Sequence, residues 1–293
     1  MAHVAKRNPI YKVLIYLACI VFSIVCIYPV LYTIFASFSE PQLLDMHAGI
    51  LLRPLGFTLK GYEVALNYSN IGSGYLNTGF VVVVGTMVNM VLTTLGAYTL
   101  SRRDFMLKKP VMLLITFTMF FSGGMIPTYL NVQSLGLYNS RWALILPSCI
   151  SAWNLIILRT SMMAVPASLE EAAKLDGASD FQTMVRVELP LVKATMAVVT
   201  LYYIVGHWNA WFDAMLYIQD RDKYPLQLIL REVLITNTSS TVSTMGFDTS
   251  QLDIYKRLVK YTTTVLATLP ILFIYPFLQK YFVNGVMVGS IKG

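Results

Sequence analysis

Long apolar runs alternate with short polar ones along the 293-residue chain. A helix needs ~20 mostly apolar residues to cross a bilayer. Six stretches fit that pattern, over 13–38, 76–100, 111–130, 142–158, 191–217 and 261–278. None carries Lys, Arg, Asp or Glu in its central part; Lys193 and Asp213 stand near the two ends of the fifth. The pattern predicts an all-α membrane protein with six transmembrane helices and one domain over 1–293. Pro29 is expected to bend the first helix, which neighbouring helices can accommodate. Phe120-Phe121-Ser122-Gly123-Gly124 is expected to kink the third, with a gate as one role. The first run has a basic start, Lys6, Arg7 and Lys12, as a secretory signal does. Its apolar part far exceeds the ~7–15 residues of a signal core, so an uncleaved span is expected.

One polar stretch interrupts this alternation: LEEAAKLDGASDFQTMVRVELPLVKA, 169–194. Ser168 followed by Glu171 has the spacing of a capping box, and so has Ser179 followed by Gln182. Leu169, Ala172, Ala173 and Asp176 fall on one helical face, and the two alanines there would let another backbone approach closely. Glu170 and Lys174 are an i,i+4 pair in the favourable order. Gly177 stands where helices end in a left-handed residue. The segment 166–190 therefore predicts helix, tight glycine turn, helix. Periodicity alone leaves an ordinary, well-capped connecting loop equally open.

Composition agrees with the membrane reading: 56% hydrophobic, 13% charged and a mean hydropathy of +0.61, where soluble domains carry about 25% charge. The net charge of +7 acquires meaning once it is placed. With the N-terminus in the cytoplasm, the inner segments 1–12, 101–110, 159–193 and 279–293 hold 13 Lys and Arg against 6 Asp and Glu. The outer segments hold 9 of each. All the excess positive charge lies on one side, as the positive-inside rule requires, with SRRDFMLKKP its clearest single signal. The basic balance thus reads as topology rather than as a nucleic-acid surface, and both termini are placed inside. Outside, YPLQLILREVL has the spacing of a short amphipathic helix, and TNTSSTVSTMGFDTS reads as a loop. Cys19, Cys26 and Cys149 all lie in apolar runs, which predicts small packing residues rather than a disulfide or zinc framework.

The residues of the polar stretch, Glu171-Ala172-Ala173, three residues, Gly177, nine residues, Val187, one residue, Leu189-Pro190, resemble the EAA loop of permease subunits in ABC importers. Many such loops have isoleucine where this chain has Val187. KYFVNGVMVGSIKG, NTGFVVVVGTMVN, AYTLSRRDF, FFSGGMIPTYL, AWNLIILRT and VGHWNAWFDAMLYI resemble the carbohydrate group, in particular the subgroup serving oligosaccharides such as alginate or aldouronate fragments. The resemblance covers nearly the whole chain. It implies a cytoplasmic coupling helix between the fourth and fifth spans. Glu171, Ala172, Ala173, Asp176 and Gly177, together with Lys292 and Gly293 of the tail, would meet a separate ATPase. It implies as partners a second, non-identical permease, two ATPase subunits, an extracytoplasmic solute-binding protein and an oligosaccharide, all at a bacterial cell membrane. No cofactor is expected on this chain. ATP and magnesium would sit on the ATPase, since no stretch has the G-x-x-x-x-G-K-[ST] spacing of a phosphate loop; Gly285, Gly289 and Lys292 are wrongly spaced. No catalytic residue and no metal site are expected.

For a substrate pathway, HWNAWFDAMLY offers Trp208, Asn209, Trp211 and Asp213, with Asn209 and Asp213 on one helical face. Polar residues inside a span tend to face a cavity or another helix, whereas Trp also gathers at membrane boundaries. Asn89 and Asn154 are further candidates, equally readable as interhelical links. His207 has no companion ligands for a metal. An ion-coupled secondary transporter is disfavoured, because such proteins place ionisable groups near the midplane and often carry inverted repeats, and no repeat is visible. An intramembrane enzyme lacks its H-E-x-x-H or paired aspartates. Import of a non-sugar by the same architecture stays open.

Overall fold

The computed structural model describes residues 9–67, 70–235 and 258–273, and within them the chain is helical, with one isolated bridge between Ser39 and Phe57. The helices are α1 (Pro9–Ser37), α2 (Pro41–Met46), α3 (Lys60–Asn67), α4 (Ile71–Ser101), α5 (Lys108–Phe120), α6 (Met125–Ser134), α7 (Ala152–Met163), α8 (Ala167–Leu175), α9 (Asp180–Thr183), α10 (Leu189–Leu191), α11 (Lys193–Asn209), α12 (Phe212–Tyr217), α13 (Leu226–Ile235) and α14 (Leu258–Phe273). A π-turn, Met184–Glu188, joins α9 to α10, and two 3-10 turns, Arg141–Leu144 and Leu146–Ser148, precede α7.

The described residues divide into two compact units, one of residues 9–67, 232–235 and 258–268, the other of residues 70–231 and 269–273. In the first unit, α1 is long and apolar enough to cross a membrane, with mean hydropathy 2.6, and the helix buries almost nothing until Thr33. Its few hydroxyls return to their own backbone: Ser23 donates to the Cys19 carbonyl at 2.8 Å and Thr33 to that of Pro29 at 2.9 Å. That keeps the helix surface apolar, because no donor is left facing hydrocarbon. Cys19 and Cys26 are exposed on this surface, not packed as expected. Toward the C-terminal end of α1, the Leu51 N–H donates to the Tyr28 hydroxyl at 3.0 Å, and Ser37 and Tyr62 share a hydrogen bond of 2.8 Å.

In the second unit, α4 is the axis, packed against α7 and α11. Its pattern is that of a soluble helix turned inside out. Asn77, Thr78, Thr86, Asn89, Thr93 and Thr94 are buried, while Leu76, Val83, Met87, Val91 and Leu95 are exposed. The two sets recur at helical spacing, so the polar face is turned into the protein and the apolar face away from it, as suits a helix in a membrane. Asn77 donates to the carbonyls of Asp222 at 2.7 Å and Tyr224 at 3.0 Å, and the Leu226 N–H donates to Thr78 at 2.8 Å. Thr93 meets the Tyr203 hydroxyl at 2.7 Å, which also accepts from the Ser151 N–H at 3.1 Å. Below these, Ala97, Tyr98, Leu158, Met162, Met184, Val192, Val199 and Tyr203 form an apolar core.

Three expected spans are bent. The third breaks at 121–124, where α5 and α6 meet at 116°. Gly124 has φ +88 there, so the expected kink is a reversal rather than a bend in one rod. The fourth starts as 3-10 turns angled 49° to α7. The fifth leaves the preceding segment 180–191 at 86° near Val192 and is itself broken at Ala210-Trp211. Among the described residues, two helices are long and apolar enough to cross a membrane alone, or up to five if each bent pair is one span. Of the sixth expected span, 258–273 is the helix α14, and 274–278 lies outside the described residues.

Candidate functional site

The segment 166–190 is built as the glycine turn foretold. The N–H of Gly177 donates to the Lys174 carbonyl at 3.1 Å and that of Ala178 to the Ala173 carbonyl at 2.9 Å. This paired closure is the Schellman motif, which satisfies the last carbonyls of α8 and needs a left-handed residue; Gly177 supplies φ +79. The second capping box forms, with the Gln182 N–H donating to Ser179 Oγ at 3.3 Å and the Ser179 N–H to Gln182 Oε1 at 2.9 Å. The first does not. Pro166 is the N-cap, no side chain caps the helix, and Ser168 already lies inside the first turn. A hydroxyl there is too far along the helix to reach back to the free amides.

Glu171, Ala172, Asp176 and Gly177 are exposed and Ala173 is partly so. Leu175, among them, is 89% exposed, and Phe181, just past the turn, 66%. Neither stood out in the sequence, because a leucine in an amphipathic helix reads as its buried face. Beneath the segment, Glu170 pairs with Lys174 at 3.1 Å and with Arg102 at 2.6 Å, and Arg102 also pairs with buried Glu188. Burial alone would raise the Glu170 carboxyl, but Lys174 and Arg102 outweigh it and hold it below its usual value. At Glu188, burial wins over Arg102 and raises the carboxyl. Lys292 and Gly293 lie outside the described residues.

At the other end of α11 the pathway candidates separate. Asn209 ends α11, is exposed, and donates to the Val205 carbonyl at 3.0 Å. Ala210 turns extended and α12 restarts at Phe212, so Asn209 and Asp213 do not share a continuous helical face as their spacing had implied. The turn lets Trp211 pack on the cluster of Val81, Leu144, Ile145, Ala214, Ile218 and Leu228, with the Arg231 guanidinium 4.0 Å from its ring centre. Asp213 is half-buried and Trp208 buried, its ring 6.5 Å from that of Tyr75.

Asn89 is fully buried. Its amide donates to the carbonyls of Ser148 at 3.0 Å and Cys149 at 2.9 Å, and its oxygen lies 2.6 Å from His207 Nε2. With both amide protons engaged, Oδ1 must accept, so Nε2 carries the proton. Gly85 makes room for that imidazole; a Cβ there would come within 2.7 Å of Nε2. Asn89 thus ties α4 to α11 and to the irregular turn before α7. Asn154 is buried at the start of α7, where Ser151 caps its N–H at 3.4 Å.

Residues 94–288 match the family described as binding-protein-dependent transport system inner membrane component. Over 98% of its length the chain is 41% identical to all of the polygalacturonan/rhamnogalacturonan transport system permease protein YtcP of Bacillus subtilis. Over 96% it is 26% identical to 95% of the maltodextrin transport system permease protein MalD of Streptococcus pneumoniae. Its fold is similar to a chain in the crystal structure of a bacterial ABC transporter involved in the import of the acidic polysaccharide alginate. The TM-score is 0.87 at 28% identity, covering 96% of this chain and 100% of that one.

Proposed function

The chain belongs to the inner membrane components of binding-protein-dependent transport systems, and from that premise we propose that it forms one half of the translocation path for an acidic oligosaccharide. It is a membrane-embedded, non-catalytic permease subunit of an ABC importer; ATP is hydrolysed on a separate ATPase. The acidic sugar is supported by the full-length likeness to the polygalacturonan/rhamnogalacturonan permease and to the alginate importer chain. That likeness is the observation that carries the reading.

In this reading the chain crosses a bacterial plasma membrane six times with both termini inside. It pairs with a second, non-identical permease above two ATPase subunits carrying ATP and magnesium. Leu175 and Phe181 enter a cleft on the ATPase, with Glu171 and Asp176 at the rim and the tail, Lys292 and Gly293, alongside. Closure of the ATPases draws α8 inward and switches the path from inward to outward facing, while an external binding protein delivers the sugar. Asn209 and Asp213 line the path and offer hydrogen bonds to hydroxyls. Trp211 offers an aromatic face held by Arg231. Asn89, Asn154 and Trp208 serve packing.

The test is uptake by the assembled importer in proteoliposomes, given labelled oligogalacturonides and labelled maltooligosaccharides. ATP-dependent uptake of the uronic oligomers, not displaced by the neutral ones, is expected. Uptake of neutral oligomers alone overturns the acidic assignment, and uptake of neither overturns the sugar.

A further inference from the structure

The first arginine of the SRRDF stretch does more than mark the inner side of the membrane. We propose that Arg102, Glu170 and Glu188 form an ion rivet that makes the α8–α9 segment move as one body with the inner end of α4. All three are then positioning residues for converting ATPase motion into helix motion.

The three side chains come from places far apart in sequence and meet at one guanidinium. One terminal nitrogen of Arg102 lies 2.6 Å from a Glu170 oxygen on α8 as an ion pair, and the other donates to Glu188 in the π-turn. The Tyr98 ring lies 4.4 Å from the guanidinium centre, and the Tyr98 hydroxyl donates to the Asp180 carbonyl at 2.8 Å, holding the start of α9 from the same helix. Lys108 donates to the Arg102 carbonyl at 3.2 Å, and Arg159 of α7 donates to that of Leu100 at 2.9 Å. Thus α4, α5 and α7 all converge where the segment is fastened. Glu188 is 2% exposed, and Arg102 is the cation that pairs with it. Arginine is suited to this place because its planar fork fixes two carboxylates in set directions, which the point charge of lysine cannot do.

The chemistry of the cluster also separates positioning from mere stability. Removing one member of a buried ion group strands the others, whereas replacing the charged partners together by apolar groups often leaves a fold intact. A structural role is therefore restored by the joint replacement, and a positioning role is not.

The inference rests on α8 being the ATPase contact, so its test has one readout that does not. In the purified, fully assembled importer, hydrogen exchange of residues 167–191 is followed beside the ratio of ATP hydrolysed to solute imported. The variants are Arg102→Met with Glu188→Leu, Arg102→Lys, and the exchanged pair Arg102→Glu with Glu188→Arg. The joint apolar variant should assemble, exchange at least tenfold faster in 167–178, and consume several-fold more ATP per solute. The exchanged pair should recover part of both. An unchanged exchange rate and ratio overturn the rivet, and faster exchange with an unchanged ratio overturns its role in coupling. If the joint variant fails to assemble, Arg102→Lys decides on the same two readings. If the wild-type importer takes up nothing, the transport reading fails, while the exchange comparison still judges the rivet.

Discussion

The glycine turn gives the sharpest quantitative expectation. Gly177 has φ +79, and a Cβ built there would meet no atom within 4 Å. Substitution therefore costs conformational energy alone, with no clash to confuse it. A left-handed backbone costs an ordinary L-residue ~1–2 kcal/mol, more when the side chain is β-branched and least for Asn. Letting the turn open instead forfeits its two closing hydrogen bonds, at ~0.5–1.5 kcal/mol each. The chain takes the cheaper route, so Gly177→Val should cost about 1–3 kcal/mol in the closed turn. Since ~1.4 kcal/mol is tenfold in population and apparent affinity scales with the competent fraction, ATPase association should weaken by up to roughly five- to a hundred-and-fiftyfold. The order should be Gly, Asn, Ala, Val, from tightest to weakest. Binding of the purified ATPase to the permease pair, with uptake per ATP, measures it. Normal binding and coupling by Gly177→Val refutes the reasoning. So does an Asn variant as damaged as Val, because Asn tolerates the left-handed region and would fail only if a side chain itself were excluded.

Three other perturbations follow from the geometry. Asn89→Leu strands the Ser148 and Cys149 carbonyls and the His207 proton, at ~1–3 kcal/mol for each unsatisfied group; thermal unfolding in detergent should fall by several degrees, and retained stability would show the knot to be dispensable. Asn209→Leu alters an exposed residue, so stability should stay within about 0.5 kcal/mol while uptake falls up to tenfold; unchanged uptake removes Asn209 from the path. Glu170 is held below its usual 4.5, so its contribution is complete above that value and lost as pH falls through the lowered one. Glu188, shifted upward, takes its proton earlier and leaves Arg102 to Glu170, with Lys174, Asp104 and Asp180 the other charges nearby. Hydrogen exchange in 167–178 should accordingly quicken in two steps as pH falls, one above 4.5 as Glu188 takes its proton and one below 4.5 as Glu170 does, and Glu170→Gln should abolish the lower step alone.

Features decided within a few residues were legible beforehand. Gly177 with its positive φ, the Ser179–Gln182 box, the Glu170–Lys174 pair and the helix α13 each depend on neighbours four or fewer positions away, or on local periodicity. The Ser168 box failed for a matching reason: one residue of uncertainty at a helix start moves a cap out of register. The breaks at 121–124 and 210–211 were hidden in part, since an apolar run shows length but not where tertiary contacts bend it. Arg102 and Glu188 are 86 residues apart, and nothing near either announces the other. Asn89 was visible as a polar residue in a span, but its choice between ligand and link was made by carbonyls 59 and 60 residues away.

The inverted face of α4 has a consequence for how the chain is made. α1 offers lipid an uninterrupted apolar surface and can leave the insertion machinery as soon as it is complete. α4 cannot. Asn77 finds its acceptors 145 and 147 residues later, and Thr78 its donor 148 residues later. At ~5–20 residues per second, those partners do not exist for about ten to thirty seconds after α4 emerges. For that interval some other protein surface must shelter its amides and hydroxyls. The second long apolar helix to be synthesised is thus among the last to be released into the bilayer, and the order of birth and the order of settling differ within one small protein.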